Sequence, residues 1–111
     1  MPLKQLGQQR PPTADTPVSI YSPATNIEAT GLVLTICNQS AAASTYRIFQ
    51  DDNGTTYDQT TALYWDVAIA ADTTVRVNVG PMNDSSGNLA VSAGDNNALT
   101  FTLHGSETLV A

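Results

Sequence analysis

Few positions in this chain carry side chains that could do covalent chemistry. His104 is the only histidine and Cys37 the only cysteine. A Ser-His-Asp site would require His104 to meet an activated serine, yet there is no Gly-x-Ser-x-Gly elbow. His104 instead falls on the polar register of an alternating run, beside Gly105 and Ser106, and reads as a strand-end residue with ordinary hydrogen bonds. Cys37 closes an apolar run next to Asn38. A catalytic thiol needs a nearby cation or helix N-terminus to lower its pKa, and no helix is evident, so Cys37 reads as a small buried residue. A single cysteine forms no intrachain disulfide, and a structural zinc site lacks ligands.

The acids are more numerous but no better assembled. Asp51-Asp52-Asn53-Gly54, with Asp58 beyond, looks superficially like a calcium loop. An EF-hand starting at Asp52 would put Tyr57 where the sharp turn needs glycine, so that match fails. An ion in an irregular Asp/Asn loop, here or at 83–88, stays open beside the plainer reading of solvated turns. Asp66 interrupts the apolar run 63–69 without a strand-borne carboxylate to complete a glycosidase-type pair. It is expected to pair with Arg47 or Arg76, the two cations of residues 18–111. Trp65 shares the register of Leu63 and Val67 and is expected in the core. Tyr64 then points outward, where an amphipathic ring suits an interface. No nucleophile–base pair or metal cluster can be composed from these residues, so the expectation is a non-enzymatic protein without a cofactor.

The elements that must position these residues are strands. Leu32, Leu34 and Ile36 alternate with Val33, Thr35 and Cys37; Tyr46 and Ile48 with Arg47 and Phe49; Val75, Val77 and Val79 with Arg76 and Asn78; Leu99, Phe101 and Leu103 with Thr100, Thr102 and His104. Such period-two alternation gives each strand one apolar and one polar face. No window carries a helical period with caps. Turn chemistry separates the runs at 38–40, 51–54, 71–73, 83–88 and 94–97, with Asn53-Gly54 the strongest hairpin marker. About eight short strands punctuated in this way predict an all-β fold, an antiparallel β-sandwich or jelly roll.

Residues 1–17 are a different material. Four prolines and three glutamines crowd a segment with few large apolar side chains, and Arg10-Pro11-Pro12 favours extended geometry. Lys4 and Arg10 against Asp15 give this stretch +1, whereas residues 18–111 carry two arginines against nine acids, or −7. The expectation is an extended N-terminal arm, 1–17, without a core of its own, ahead of a β-sandwich domain, 18–111. The arm either floats or lies on a neighbouring subunit.

Charge limits the partners. With a net charge of −6 and four basic residues in 111, the chain cannot form the Lys/Arg stripe that nucleic acid requires, and an anionic membrane is disfavoured for the same reason. Met1–Gln9 contains no apolar signal core, and no stretch approaches a membrane span. Only 13% of residues are charged, so the surface is mostly Thr, Ser, Asn and Gln, as in β proteins built to present broad neutral faces.

Five stretches occur in a telling order: Ile20-Tyr21-Ser22-Pro23-Ala24, then Leu34 to Ser40 with Cys37-Asn38 inside it, then Thr45-Tyr46-Arg47-Ile48, then Leu63 to Ile69, and finally Phe101-Thr102-Leu103-His104-Gly105-Ser106-Glu107. In this order the sequence resembles small β-sandwich virion proteins of tailed bacteriophages, over most of residues 18–107. The resemblance implies a capsid cement, or decoration, protein on the outer capsid surface. Its partners would be the major capsid protein and further copies of itself, with a trimer favoured. The family supplies no catalytic residues. Lys4, Gln5, Arg10, Pro11 and Pro12 of the arm, with Tyr64, are the expected contact set. A tail, fibre or head–tail component is the first alternative. A carbohydrate-binding module using Tyr57, Tyr64 or Trp65 is the second.

Overall fold

The computed structural model describes residues 4–52, 54–82 and 87–109. Among them are eight strands and no helix: β1 (Lys4–Gln9), β2 (Val18–Tyr21), β3 (Ile27–Asn38), β4 (Ser44–Asp51), β5 (Ala62–Ile69), β6 (Thr73–Asn78), β7 (Asn88–Ala93) and β8 (Leu99–Leu109). They form two four-stranded antiparallel sheets, one in the order β1-β8-β3-β6 and the other β2-β7-β4-β5. The first strand pairs with the last, the second with the seventh, the third with the sixth, and the fourth with the fifth. This is one long hairpin rolled up on itself, the jelly-roll arrangement of a β-sandwich.

Alternation explains which side of each strand is dry. Leu32, Leu34 and Ile36 of β3, Tyr46 and Ile48 of β4, and Leu99, Phe101 and Leu103 of β8 are all buried between the sheets. Full burial of each aliphatic side chain contributes about 1.5–3 kcal/mol, so this layer dominates the stability. β7 departs from the pattern, because Leu89, Ala90, Val91, Ser92 and Ala93 are all buried. It is a central strand covered on both sides. Its outward positions, Ala90 and Ser92, are small, and they lie directly across from Phe49 and Arg47 of β4.

Asn38 holds one end of the sandwich together. Its side chain is fully buried, and its Nδ2 donates to the carbonyls of Ala42 (3.0 Å), Ile69 (3.2 Å) and Ala70 (3.1 Å). Its Oδ1 accepts from the Ser40 amide (3.0 Å) and hydroxyl (2.8 Å). A buried amide is tolerated when its bonds are made, and here it ties the β3–β4 turn to the end of β5 across the two sheets.

The N-terminal segment differs from expectation. Residues 4–9 are no free arm: β1 pairs with β8 from Lys4↔Gly105 to Gln9↔Phe101 and forms the edge of the first sheet. Leu6 packs against the core, and Gly7 crosses β2 so closely that a β-carbon there would collide with the Ile20 carbonyl. Residues 10–15 then lie along the 94–97 turn. Arg10 Nε donates to the Asn97 carbonyl (3.0 Å), the Asn97 amide to the Pro11 carbonyl (3.0 Å), the Ala14 amide to Asn96 Oδ1 (2.6 Å) and the Asp15 amide to the Ala93 carbonyl (2.8 Å). The physical reason is that a strand's stability comes from its ladder as much as from its own apolar content, and β8 supplies that ladder. Residues 1–3 lie outside the described residues.

Candidate functional site: two outer faces

The outer face of the first sheet is a regular grid over 33–38 of β3, 99–104 of β8 and β6, with β1 joining it through a bulge between Gln5 and Gly7. Residues directly opposite one another in a ladder share a face, so the registers define rows across the four strands. Gln5, His104, Val33 and Asn78 form one row; Gln8, Thr102, Thr35 and Arg76 form the next; Thr100, Cys37 and Thr74 form a third. Every one of these side chains is at least partly exposed, and none is a carboxylate. Within the grid Gln8 Nε2 donates to Thr102 Oγ1 (2.9 Å), and Thr100 bonds Gln39. Hydroxyls and amides therefore already lie at regular strand spacing, and the only ionisable groups are His104, Arg76 and Cys37. Cys37, expected to be buried, is half-exposed because β3 turns it to this outer side. His104 and Cys37 sit two rows apart.

The outer face of the second sheet is built differently, and one backbone irregularity makes it so. Across from β4, Tyr46 opposes Val67 and Ile48 opposes Tyr64, so β5 carries an extra residue between them. Asp66, in that stretch, takes a left-handed φ of 52°. Asp is one of the few residues that accepts this conformation, and the bulge reverses which side chains face the core. Tyr64, Val67 and Ile69 turn inward, while Leu63 (46% exposed) and Trp65 (38%) turn out. The expected places of Tyr64 and Trp65 are thus exchanged. Tyr64 packs against the core, 6.2 Å from Tyr46 between ring centroids, and its hydroxyl donates to the Asn78 carbonyl (2.9 Å).

Around the bulge a small second cluster forms. Arg47, between the inward Tyr46 and Ile48, points outward and grips Asp66 with two bonds, Nε to Oδ1 at 2.6 Å and Nη2 to Oδ2 at 3.2 Å. Its guanidinium carbon lies 3.9 Å from the Trp65 ring centroid, a cation–π stack. The bond from Arg47 holds the Asp66 carboxyl below the usual carboxylate range. Of the two cations expected to pair with Asp66, the structure selects Arg47. Phe49, also outward, is nonetheless only 1% exposed, because Trp65 packs edge-on against it and Tyr57 lies tilted beside it, each with centroids 6.1 Å away. Tyr57 comes from the 52–61 connection, so β4 and β5 are joined by a long loop rather than a tight turn at Asn53-Gly54; Asn53 lies outside the described residues. Asp51, considered as an ion ligand, accepts the Thr56 amide (2.8 Å) and so fixes this loop. Of the other candidate ion loop, 83–88, residues 83–86 lie outside the described residues.

The expected arm contacts fall in several places. Lys4 pairs with Glu107 Oε1 on the chain's own β8 (2.9 Å), and Tyr21 of β2 donates to Glu107 Oε2 (2.6 Å), so one carboxylate clasps three strands. The Lys4 and Tyr21 bonds hold the Glu107 carboxyl below its ordinary value, while burial and the neighbouring carboxylate raise the Tyr21 phenol. Pro11 is buried, whereas Gln5, Arg10 and Pro12 are exposed. These residues do not converge with Tyr64, which sits at the opposite, β5 edge of the sandwich.

Concavities gather along 78–82. An open groove of about 480 Å³ is lined by Leu63, Tyr64, Asn78, Gly80 and Pro81, and a smaller hollow of about 140 Å³ by Gln50, Asp52, Pro81, Met82 and Gly87. Neither is lined by His104 or Cys37. Among the described residues no group of three or more His, Cys, Asp or Glu side chains gathers at metal-holding distance, and no helix is long and apolar enough to cross a membrane. Fold and surface together define an eight-stranded antiparallel sandwich with one open polar face and one self-covered face. No protein-family model, curated protein or solved structure matches the chain.

Proposed function

We propose that this chain is a capsid cement protein of a tailed bacteriophage, an oligomer that seats on the outer surface of the major capsid shell and stabilises it. The observation that carries the reading is a three-row grid on the outer face of the first sheet, mostly hydroxyl and amide side chains with no carboxylate among the three rows, in a chain of net charge −6. Such a face makes many modest hydrogen bonds over a wide area while the acids elsewhere keep the protein soluble. The molecule measures 46 × 29 × 18 Å. Its broad side is therefore large enough for the roughly 800 Å² that each partner commonly gives to a stable interface. Repetition over a shell multiplies a weak contact by avidity. The jelly roll recurs in viral capsid and lectin domains, which supports the reading by analogy of fold alone.

The test is the position and copy number of the protein in purified particles by cryo-EM. Hundreds of copies on the shell, and particles that burst at lower temperature or milder osmotic shock when the protein is missing, are the expected results. A handful of copies at the tail would replace this reading with the tail-component one. A second reading, carbohydrate binding, is favoured by the exposed Trp65 beside the polar Arg47–Asp66 pair. A glycan array that yields no ligand removes it.

A further inference from the structure

We infer that β1 is exchanged between copies: the strand of one molecule docks on β8 of a neighbour, in the place that its own β1 takes when the chain is alone. This deepens the oligomer part of the reading above, but it rests on the chain's own N-terminal segment and not on the virion assignment.

Residues 4–11 are held as a separate peptide would be. Their ladder runs to 101–105 of β8, Lys4 bonds Glu107, Gln8 bonds Thr102, and Arg10 and Pro11 bond Asn97. Gln9 Nε2 donates to the Ser19 carbonyl of β2 (3.1 Å), and Gly7 crosses β2 at Ile20. Thus β8, the turn before it and β2 form one cleft, and β1 is a strand added to that cleft. All of these partners belong to one body, so a neighbour's β1 makes the same bonds one for one.

The cleft is selective for this strand. Glycine is required where β1 crosses β2, because a β-carbon at Gly7 would collide with the Ile20 carbonyl. Leu6 lies over Gly105, where a β-carbon would stand 3.2 Å from Leu6 Cδ1, so a large side chain and a missing one match across the ladder. At the end of the strand Lys4 answers Glu107, which Tyr21 of β2 grips from the other side. An occupant must bring a cation, then leucine and glycine at these positions. A second copy of the chain brings all three.

The connection decides between the closed and the exchanged form. In the closed chain a turn at 12–15 joins β1 to β2, with Pro12 and Thr13 exposed and Asp15 at a left-handed φ of 55°. Two bonds pin that turn, from the Ala14 amide to Asn96 Oδ1 and from the Asp15 amide to the Ala93 carbonyl. Pro12 and Pro17 bias the residues before them, Pro11 and Thr16, toward extended backbone. Extension surrenders the two bonds to water and lets Asp15 leave the left-handed region. At about 3.1 Å per residue, an extended 12–17 reaches about 19 Å. That is the thickness of a molecule measuring 46 × 29 × 18 Å, so β1 can lie on a copy packed alongside. The forms differ only at the hinge, and concentration favours exchange by mass action.

Two full-length chains test this, one with Gln8→Cys and the other with Thr102→Cys, both carrying Cys37→Ser. Positions 8 and 102 face each other in the β1–β8 ladder, close enough for a disulfide when β1 has changed bodies. The two chains are refolded together at millimolar concentration and oxidised with copper–phenanthroline. The link between 8 and 102 is expected well above its random share against links joining 8 to 8 and 102 to 102. A flexible Gly/Ser insertion between Pro12 and Thr13 lets β1 close on its own body without the turn at Asp15. It should raise the oligomer dissociation constant in sedimentation equilibrium about tenfold or more, with the circular dichroism of the β fold unchanged. A wild type that stays at 11.7 kDa up to millimolar concentration, an 8-to-102 link at its random share, or an insertion variant that associates as tightly as the wild type overturns the inference. None of these results depends on where the protein sits in a particle, so the two readings fail separately.

Discussion

The two outer faces of the sandwich are made from similar strands and end up with opposite characters. On the first sheet, strict alternation leaves Thr35, Thr74, Thr100 and Thr102 standing in rows, available to a partner. On the second, a bulge at Asp66 brings Trp65 out over Phe49, Arg47 over Trp65, and Tyr57 in from a loop, so the sheet buries part of its own outer surface. A regular ladder makes a surface for others. An irregular one makes a private second core.

The sharpest way to break this contrast is to truncate one residue on each face. Phe49 is buried without belonging to the inter-sheet core, so Phe49→Ala should destabilise the fold by about 3–5 kcal/mol in denaturant titration. Thr35→Ala and Thr102→Ala should change stability by no more than about 1 kcal/mol, since both residues are half-exposed and the one bond lost, from Gln8 to Thr102, is open to solvent. If the cement reading holds, the two threonine variants weaken particle attachment although they fold normally. Equal destabilisation by both kinds of change would mean that the faces do not differ as described.

What the sequence disclosed follows the same division. The inward sets of β3, β4, β6 and β8 were legible because alternation is a local signal, and the all-β class followed from it. β7 was hidden, because Leu89 to Ala93 is buried on both faces and small residues at 90 and 92 erase the period. β1 was hidden because Lys4–Gln9 is polar and draws its order from β8, a partner about a hundred positions away in the chain. The exchange of Tyr64 and Trp65 turned on one backbone angle. Its signal was nonetheless present: an aspartate, tolerant of left-handed backbone, in the middle of an apolar strand, with an arginine available across the sheet.

That bulge offers a gentler test than truncation. Asp66→Gly keeps the left-handed conformation accessible and removes only the grip on Arg47. Asp66→Val forbids the conformation for a β-branched residue and removes the grip as well. Both should lower the melting temperature, Asp66→Val clearly more. The Trp65 fluorescence should move to the blue only for Asp66→Val, as the ring is driven back toward the core. Identical melting temperatures for the two would show that the ion pair, and not the backbone, sets the register of β5.

The smallest expected effect concerns the clasp at the opposite edge, where Lys4 and Tyr21 both bond Glu107. Its folded-state pKa lies below the unfolded value, so the clasp contributes fully above the ordinary carboxylate range and is lost as pH falls through the folded value. Asp58 and Asp66 are shifted in the same direction and add to the same acid limb, so the informative quantity is a difference between variants. Lys4→Met with Tyr21→Phe removes the two bonds that depress Glu107, and should flatten the fall in melting temperature below about pH 4.5 while leaving the Asp58 and Asp66 part intact. The Lys4 end of the clasp is open to solvent although Glu107 is mostly covered, so the gap between variant and wild type at neutral pH should stay within about 4 °C. A variant whose acid limb matches the wild type would show that β1 is held by its ladder with β8 alone, and that the edge strand most easily mistaken for an arm needs no ionic clasp.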